Sequence, residues 1–220
     1  MTLFLYKLQL NLGNRAVRRD LSNAYDMHRS LTRAFADGEQ DRLHPFLWRL
    51  EASSSDGAPV VLVQATTEAQ WEALPTGWLF DWNERRWDPQ KALRSGQRVL
   101  FRLRANPTVN RVPHGQDSID AGQSARGRRK RLGLWEESEQ LEWLQRQTEK
   151  VGLDAVEASV SQAERMRCRK RESTITLASA QFDGRGVIAD PAALVSGVCK
   201  GIGHARILGH GLLSLAPLRS

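Results

Sequence analysis

The sequence predicts an α+β protein in which one order of elements, strand-helix-strand-strand-helix-strand, occurs twice along 220 residues. Three observations predict it. A strand with period-two patterning opens each half, at Thr2–Leu10 and again at Arg98–Ala105. A helical segment follows each of those strands, over 20–36 and 135–151, and a short apolar strand closes each half, over 78–82 and 212–215. At 40% hydrophobic and 26% charged residues, the chain has the composition of a globular protein able to bury a core.

In the first half, Leu3, Leu5, Lys7 and Gln9 alternate with Phe4, Tyr6, Leu8 and Leu10, giving one strongly apolar strand face. The helix from Asp20 to Ala36 has Asp20 or Ser22 as N-cap and Gly38 just past its end. Phe46–Ala52 and Val60–Ala65 read as a hairpin, because 53–59 is Ser-Ser-Ser-Asp-Gly-Ala-Pro, a turn composition. Thr66 or Thr67 caps a short helix over Glu68–Leu74 that Pro75 stops, and Trp78–Trp82 completes the half.

In the second half, Arg98, Arg102 and Arg104 share one face of the opening strand while Val99, Phe101 and Leu103 take the other. Residues 106–134 are polar, Gly-rich and basic, the composition of a mobile loop. Trp135–Val151 is a helix with Trp135, Leu141 and Leu144 as its apolar stripe. Val156–Val160 and Ser173–Phe182 are strands that bracket the run Arg165–Arg171, Pro191 opens a helix through Val198, and Leu212–Leu215 closes the chain. The repeated order is that of two tandem ferredoxin-like (RRM-like, βαββαβ) domains, 1–84 and 97–220, joined by a linker over 85–96.

The net charge is +7, and it is unevenly spread: residues 85–135 hold thirteen Lys and Arg against only Asp88, Asp117 and Asp120. Arg165–Arg171 adds five positive charges within seven residues. Such unmixed runs repel themselves and favour a polyanionic partner, nucleic acid before an anionic membrane surface. No apolar stretch reaches the roughly 18 residues of a membrane span, and no helix pairs a broad apolar face with a lysine-rich one. Met1–Leu8 passes too quickly into polar residues for a secretion signal, and Cys168 and Cys199 form neither a disulfide framework nor a metal motif. A reduced, cytoplasmic setting with no membrane partner follows as the expectation.

Two stretches carry candidate chemistry. Gly201-Ile202-Gly203-His204-Ala205-Arg206-Ile207-Leu208-Gly209-His210-Gly211 holds four glycines and Arg206, so backbone N–H groups and a cation could meet a phosphate there. On the first helix, Leu21, Ala24, Leu31 and Phe35 form an apolar face that His28 interrupts, with Tyr25 one turn before it and Arg29 and Arg33 nearby. A half-buried histidine satisfied by a carbonyl is the bland alternative. Without a metal, a histidine can act as general base on a ribose 2′-hydroxyl or as general acid on the departing 5′-oxygen, leaving a 2′,3′-cyclic phosphate and a 5′-hydroxyl. Glu136, Glu137, Glu139 and Glu142 read as a solvated helix face rather than metal ligands, and Ser214 lacks the Gly-x-Ser-x-Gly setting of a hydrolase nucleophile. No metal or other cofactor is expected.

Three stretches together give the chain its resemblance: Tyr25-Asp26-Met27-His28, Phe101-Arg102-Leu103-Arg104-Ala105-Asn106-Pro107, and Gly201–Pro217 ending in Gly-Leu-Leu-Ser-Leu-Ala-Pro. In these the chain resembles, over essentially its full length, the CasE family of CRISPR repeat-RNA endoribonucleases in type I-E Cascade complexes. The resemblance implies two ferredoxin-like domains, metal-independent cleavage at the 3′ base of the repeat hairpin, and retention of the crRNA beside the other Cascade subunits. It implies that His28 is the main catalytic residue with Tyr25 as its partner. The candidate RNA contacts are Arg29, Arg33, Arg102, Arg104, Lys130, the basic hairpin residues Arg165, Arg167, Arg169, Lys170 and Arg171, and Gly201, Gly203, Arg206, Gly209 and Gly211 of the terminal loop. The runner-up is a non-catalytic module of paired ferredoxin-like folds that binds structured RNA. A metal-dependent nuclease would need carboxylates that the sequence does not group.

Overall fold

Two four-stranded antiparallel sheets organise the chain, seen in a computed structural model that describes residues 1–37, 42–43, 45–51, 57–112, 130–170 and 173–218. In chain order the first half runs β1 (Leu3–Leu10), α1 (Arg15–Ser22), α2 (Ala24–Thr32), a two-residue bridge of β2 (Ala36–Asp37) with β3 (Arg42–Leu43), then β4 (Phe46–Glu51), β5 (Val60–Ala65) and β6 (Leu79–Trp87). The second half follows α3 (Pro89–Ala92) with β7 (Arg98–Ala105), β8 (Thr108–Arg111), β9 (Lys130–Gly133), α4 (Glu137–Lys150), β10 (Leu153–Lys170), β11 (Ser173–Ile188), α5 (Pro191–Lys200) and β12 (Leu213–Pro217). The sheet orders β4-β5-β1-β6 and β10-β11-β7-β12 are the same arrangement, with each half's first strand central between its third and fourth. Two ferredoxin-like domains are therefore the fold.

Several elements differ from expectation, each for a local reason. The expected helix over 20–36 begins earlier, at Arg15, where the Asn14 side chain accepts the Ala16 N–H at 2.8 Å. It breaks at Asn23, whose backbone is extended (φ −151°, ψ 110°), and continues as α2 and a 3₁₀ turn over Arg33–Phe35. Asp20 is no cap: it is buried, and its carboxylate accepts the Trp78 indole N–H at 2.8 Å and pairs with Arg19 at 2.6 Å. The expected helix over 68–74 is only a 3₁₀ turn at Trp71–Ala73. Its leading amides are spent elsewhere, Ala69 N–H on the Tyr6 hydroxyl (3.1 Å) and Gln70 N–H on Ala34 O (2.8 Å).

The closing strand of the first half runs on to Trp87, because Leu3 through Leu10 of β1 offer partners along its length. Within the expected linker, Asp88 caps α3 through the Gln90 N–H (3.0 Å). In the expected mobile loop over 106–134, the described ends pair as β8 and β9, while 113–129 lie outside the described residues. Trp135 is 37% exposed and precedes α4, whose buried face is instead Gln140, Trp143, Leu144 and Thr148. The expected strands over 156–160 and 173–182 extend into one long ribbon, so the basic run sits on strand rather than between strands. The last helix continues to Lys200, and the last strand begins at Leu213.

The two halves share a core. Cys168, Leu177 and Leu208 of the second half join the cluster built on Tyr6, Leu8, Met27, Leu31 and Trp48 of the first. Arg49, only 1% exposed, bolts them together: it donates to Arg102 O (3.1 Å), Leu212 O (3.0 Å) and Ser214 Oγ (2.9 Å), and pairs with Glu51 at 2.5 Å. A buried guanidinium persists only when its donors are satisfied in this way. Gln64 Nε2 adds a second crossing bond, to Val198 O at 2.7 Å.

Candidate active site

His28 lies on the side of α2 that faces β4. Its ring stacks on Phe46, 5.0 Å between centroids and 26° from parallel, and Phe46 stacks in turn on Phe35 at 4.6 Å. The imidazole is half-buried, and its Nδ1 is buried with no hydrogen-bond partner among the described residues. Burial pulls its pKa below the ordinary histidine value, so the ring is neutral at neutral pH and able to accept a proton. The bland alternative, a histidine side chain held by a carbonyl, does not describe this ring.

Its accessible side meets a cavity of about 440 Å³ lined by Phe46 and Thr66 of the first half and by Lys200, Arg206 and Ile207 of the second. The site is thus assembled across the two halves. Tyr25, one turn before His28, is half-buried and packs on the first-half core. Arg29 pairs with Asp26 at 3.0 Å while remaining largely exposed, and Arg33 is exposed at the start of the 3₁₀ turn.

The basic ribbon is docked onto the same helix. Asn23, at the break before α2, donates from Nδ2 to Arg169 O at 3.0 Å and accepts the Arg169 N–H on Oδ1 at 3.2 Å. On β10, Met166 and Cys168 turn toward the shared core while Arg165, Arg167 and Arg169 face outward, the period-two consequence of an Arg-x-Arg-x-Arg strand. Arg165 lies over the Trp135 ring, 4.2 Å from its centroid. Lys170 is described by its backbone alone and Arg171 lies outside the described residues.

Other expected contacts are engaged elsewhere. Arg102 pairs with Asp183 (2.6 Å) and with Glu51 (3.3 Å), joining the inter-half network around Arg49. Arg104 is held by Glu164 and by Ser179 Oγ at 3.1 Å. Lys130 is half-buried on β9, opposite Arg111. Arg206 donates to Lys200 O (2.7 Å) and Gly203 O (3.2 Å), so its guanidinium braces the loop it stands in while lining the cavity.

The loop glycines look inward. At Gly201 (φ +76°) an added Cβ would come within 2.8 Å of Leu47 Cδ2, and at Gly209 (φ +80°) within 3.0 Å of the Trp48 ring. Both positions combine a left-handed backbone with close approach by a β4 side chain, so only glycine fits. Gly203 backs onto Trp143 and Gly211 onto Ile202 O. Gly201 and Gly209 thus seat the second half against β4, while Gly203 and Gly211 pack within the second half. His210 between them is fully buried, its Nε2 3.0 Å from Ser179 Oγ.

Sequence reasoning missed Phe46, Asn23 and Lys200. Phe46, Asn23 and Lys200 belong to no motif in the sequence, and their placement around α2 comes from tertiary packing.

The chain matches the model of a family described as CRISPR associated protein, over residues 3–217. It is 33% identical over 227 residues to the CRISPR-associated endoribonuclease Cse3 of Thermus thermophilus, covering 98% of this chain and 100% of that one. It is 32% identical over 206 residues to the CRISPR system Cascade subunit CasE of Escherichia coli, covering 93% of this chain and 96% of the relative. Among solved structures, it superposes on Thermus thermophilus Cse3 bound to an RNA representing a pre-cleavage complex with a TM-score of 0.83 and 33% identity, covering 99% of this chain and 100% of that one. The fold also matches the CRISPR-associated protein Cas6e of Escherichia coli, with a TM-score of 0.68 and 25% identity over 98% of this chain and 100% of that one.

Proposed function

Because the chain belongs to the family of CRISPR-associated proteins whose model spans residues 3–217, we propose that it is the endoribonuclease that cuts CRISPR precursor RNA at the 3′ base of each repeat hairpin. It keeps the hairpin-bearing crRNA and carries it, in the cytoplasm, to the other type I-E Cascade subunits. Residues 1–87, to the end of β6, act as the unit bearing the catalytic helix and 97–220 as the unit bearing the basic ribbon.

The observation that carries this reading is the half-buried His28 ring opening on a cavity with two cations, beside a ribbon of outward arginines. The ring accepts the proton of the ribose 2′-hydroxyl as that oxygen attacks the adjacent phosphorus. The P–O5′ bond breaks, the 5′-oxygen leaves with a proton from solvent, and a 2′,3′-cyclic phosphate remains. Tyr25 orients the nucleophile, and Lys200 and Arg206 offset the charge that builds on the phosphoryl oxygens. No metal takes part in these steps. The outward side chains of Arg165, Arg167 and Arg169 run along the phosphates of the A-form stem, whose bases lie out of reach in a deep, narrow groove.

The test is cleavage of repeat-hairpin RNA in EDTA by the parent and by His28→Ala. The parent retains full activity without divalent metal. The variant binds within a few fold of the parent and loses cleavage by about 10²–10⁴-fold, the usual contribution of a positioned acid–base group. Undiminished cleavage by the variant makes His28 a packing residue; loss of parental activity in EDTA makes the enzyme metal-dependent; and absence of cleavage in both leaves an RNA-binding module.

A further inference from the structure

We infer that the cavity beside His28 is a subsite for one unpaired nucleotide, the first one 3′ of the scissile phosphate. The inference rests on the ribonuclease reading above and adds a second contact point to it.

Size and lining agree. A volume of about 440 Å³ lies within the roughly 300–1,000 Å³ range of small-ligand pockets, and it takes a single nucleotide but not a paired step of a stem. Phe46 and Leu47 form a buried apolar wall, and Ile207, 49% exposed, stands at the rim as an apolar group without cover. Such walls accept the face of a base whatever its identity. Lys200 and Arg206 in the same lining supply positive charge, and no carboxylate pairs with the Lys200 ammonium among the described residues. An apolar slot that also holds two cations suits a base with its phosphate attached.

The position of the cut decides which nucleotide enters. Cleavage at the base of the hairpin leaves the upstream nucleotide paired in the stem, where its base is stacked and unavailable. The downstream nucleotide is single-stranded and can turn its base aside. With His28 on the cavity rim, a base seated there holds the scissile phosphate at the imidazole and fixes the leaving oxygen. The two halves each contribute a wall, so the subsite exists only in the assembled fold.

The experiment measures binding of two hairpins made uncleavable by a 2′-deoxyribose before the scissile phosphate. One ends at that phosphate and the other continues by one nucleotide. For the parent, the added nucleotide should tighten binding by about tenfold, the order of one base stacked on an apolar platform. Thr66→Trp, which fills the slot from its exposed rim, and Ile207→Ala, which removes the apolar group at that rim, should each remove that gain while keeping affinity for the shorter hairpin within about twofold, which also reports correct folding. Equal binding of the two RNAs by the parent, or an undiminished gain in both variants, overturns the subsite. Failure of the parent to bind either hairpin overturns instead the reading on which the subsite rests, and the subsite with it.

Discussion

His28 and Phe46 lie face to face, their ring centroids 5.0 Å apart. The contact joins α2 to β4, the strand that also carries Arg49 into the second half. One strand therefore both covers the His28 ring and fastens the two halves, so the orientation of the imidazole and the closure of the cavity depend on the same element.

Replacing that cover changes the acid limb of the reaction. With Phe46→Leu, water reaches the imidazole, and its pKa rises from its depressed position toward the ordinary value near 6.5. A general base works only when unprotonated, so the variant should lose rate below about pH 6.5 and match the parent near pH 8. The check is the single-turnover cleavage rate from pH 5 to 8.5. A purely structural loss would lower the rate equally at every pH.

The arginines divide into two groups by their partners. Arg167 and Arg169 face solvent on β10, whereas Arg102 is held by Asp183 and Glu51 between the sheets. Arg167→Ala and Arg169→Ala should each reduce the slope of log affinity against log salt by about one unit. Arg102→Ala should leave that slope unchanged and lower the melting temperature instead. Binding titrations at four salt concentrations separate the two groups.

Gly209→Ala tests whether the terminal loop serves packing or backbone contact with RNA. The new Cβ meets the Trp48 ring at 3.0 Å from a backbone with φ +80°. Strain of about 1–3 kcal/mol follows, which for a chain of this size lowers the melting temperature by roughly 2–12 °C. The salt slope of RNA binding should remain that of the parent. An unaltered melting temperature with a reduced slope would assign the glycine to the phosphates.

His210 gives the fold its own acid sensitivity. Complete burial, helped by the neighbouring Arg104 charge, holds its pKa down to about 4. Between pH 6.5 and about 4 the unfolded chain binds a proton that the folded chain refuses. Stability therefore falls as pH drops through that window, by roughly 3 kcal/mol at its acid end. Chemical denaturation at pH 7 and pH 4.5 measures the loss. His210→Gln, which carries no titrating group to Ser179, should be less stable at pH 7 and show a smaller loss on acidification.

The order of strands and helices was legible from residue patterns alone, since alternation along β1 and β7 and the Pro191 helix start are local properties. Element ends were less so. Thr66–Leu74 has the composition of a helix, yet its amides are taken by Tyr6 and Ala34 from other elements. A fifteen-pair ladder between β10 and β11 likewise extends strands that look short in sequence.

Local residue patterns carry the two-fold repeat of elements, the excess positive charge, the histidine that interrupts an apolar helix face, and the family motifs around it. These need only neighbours within a turn or a strand. The packing of the two halves sets which arginines are tied up in ion pairs, that Gly201 and Gly209 receive Leu47 and Trp48, and that Lys200 shares a cavity with His28. Each of those depends on how two sheets meet, and a contact between residues more than 150 positions apart has no signature in local composition.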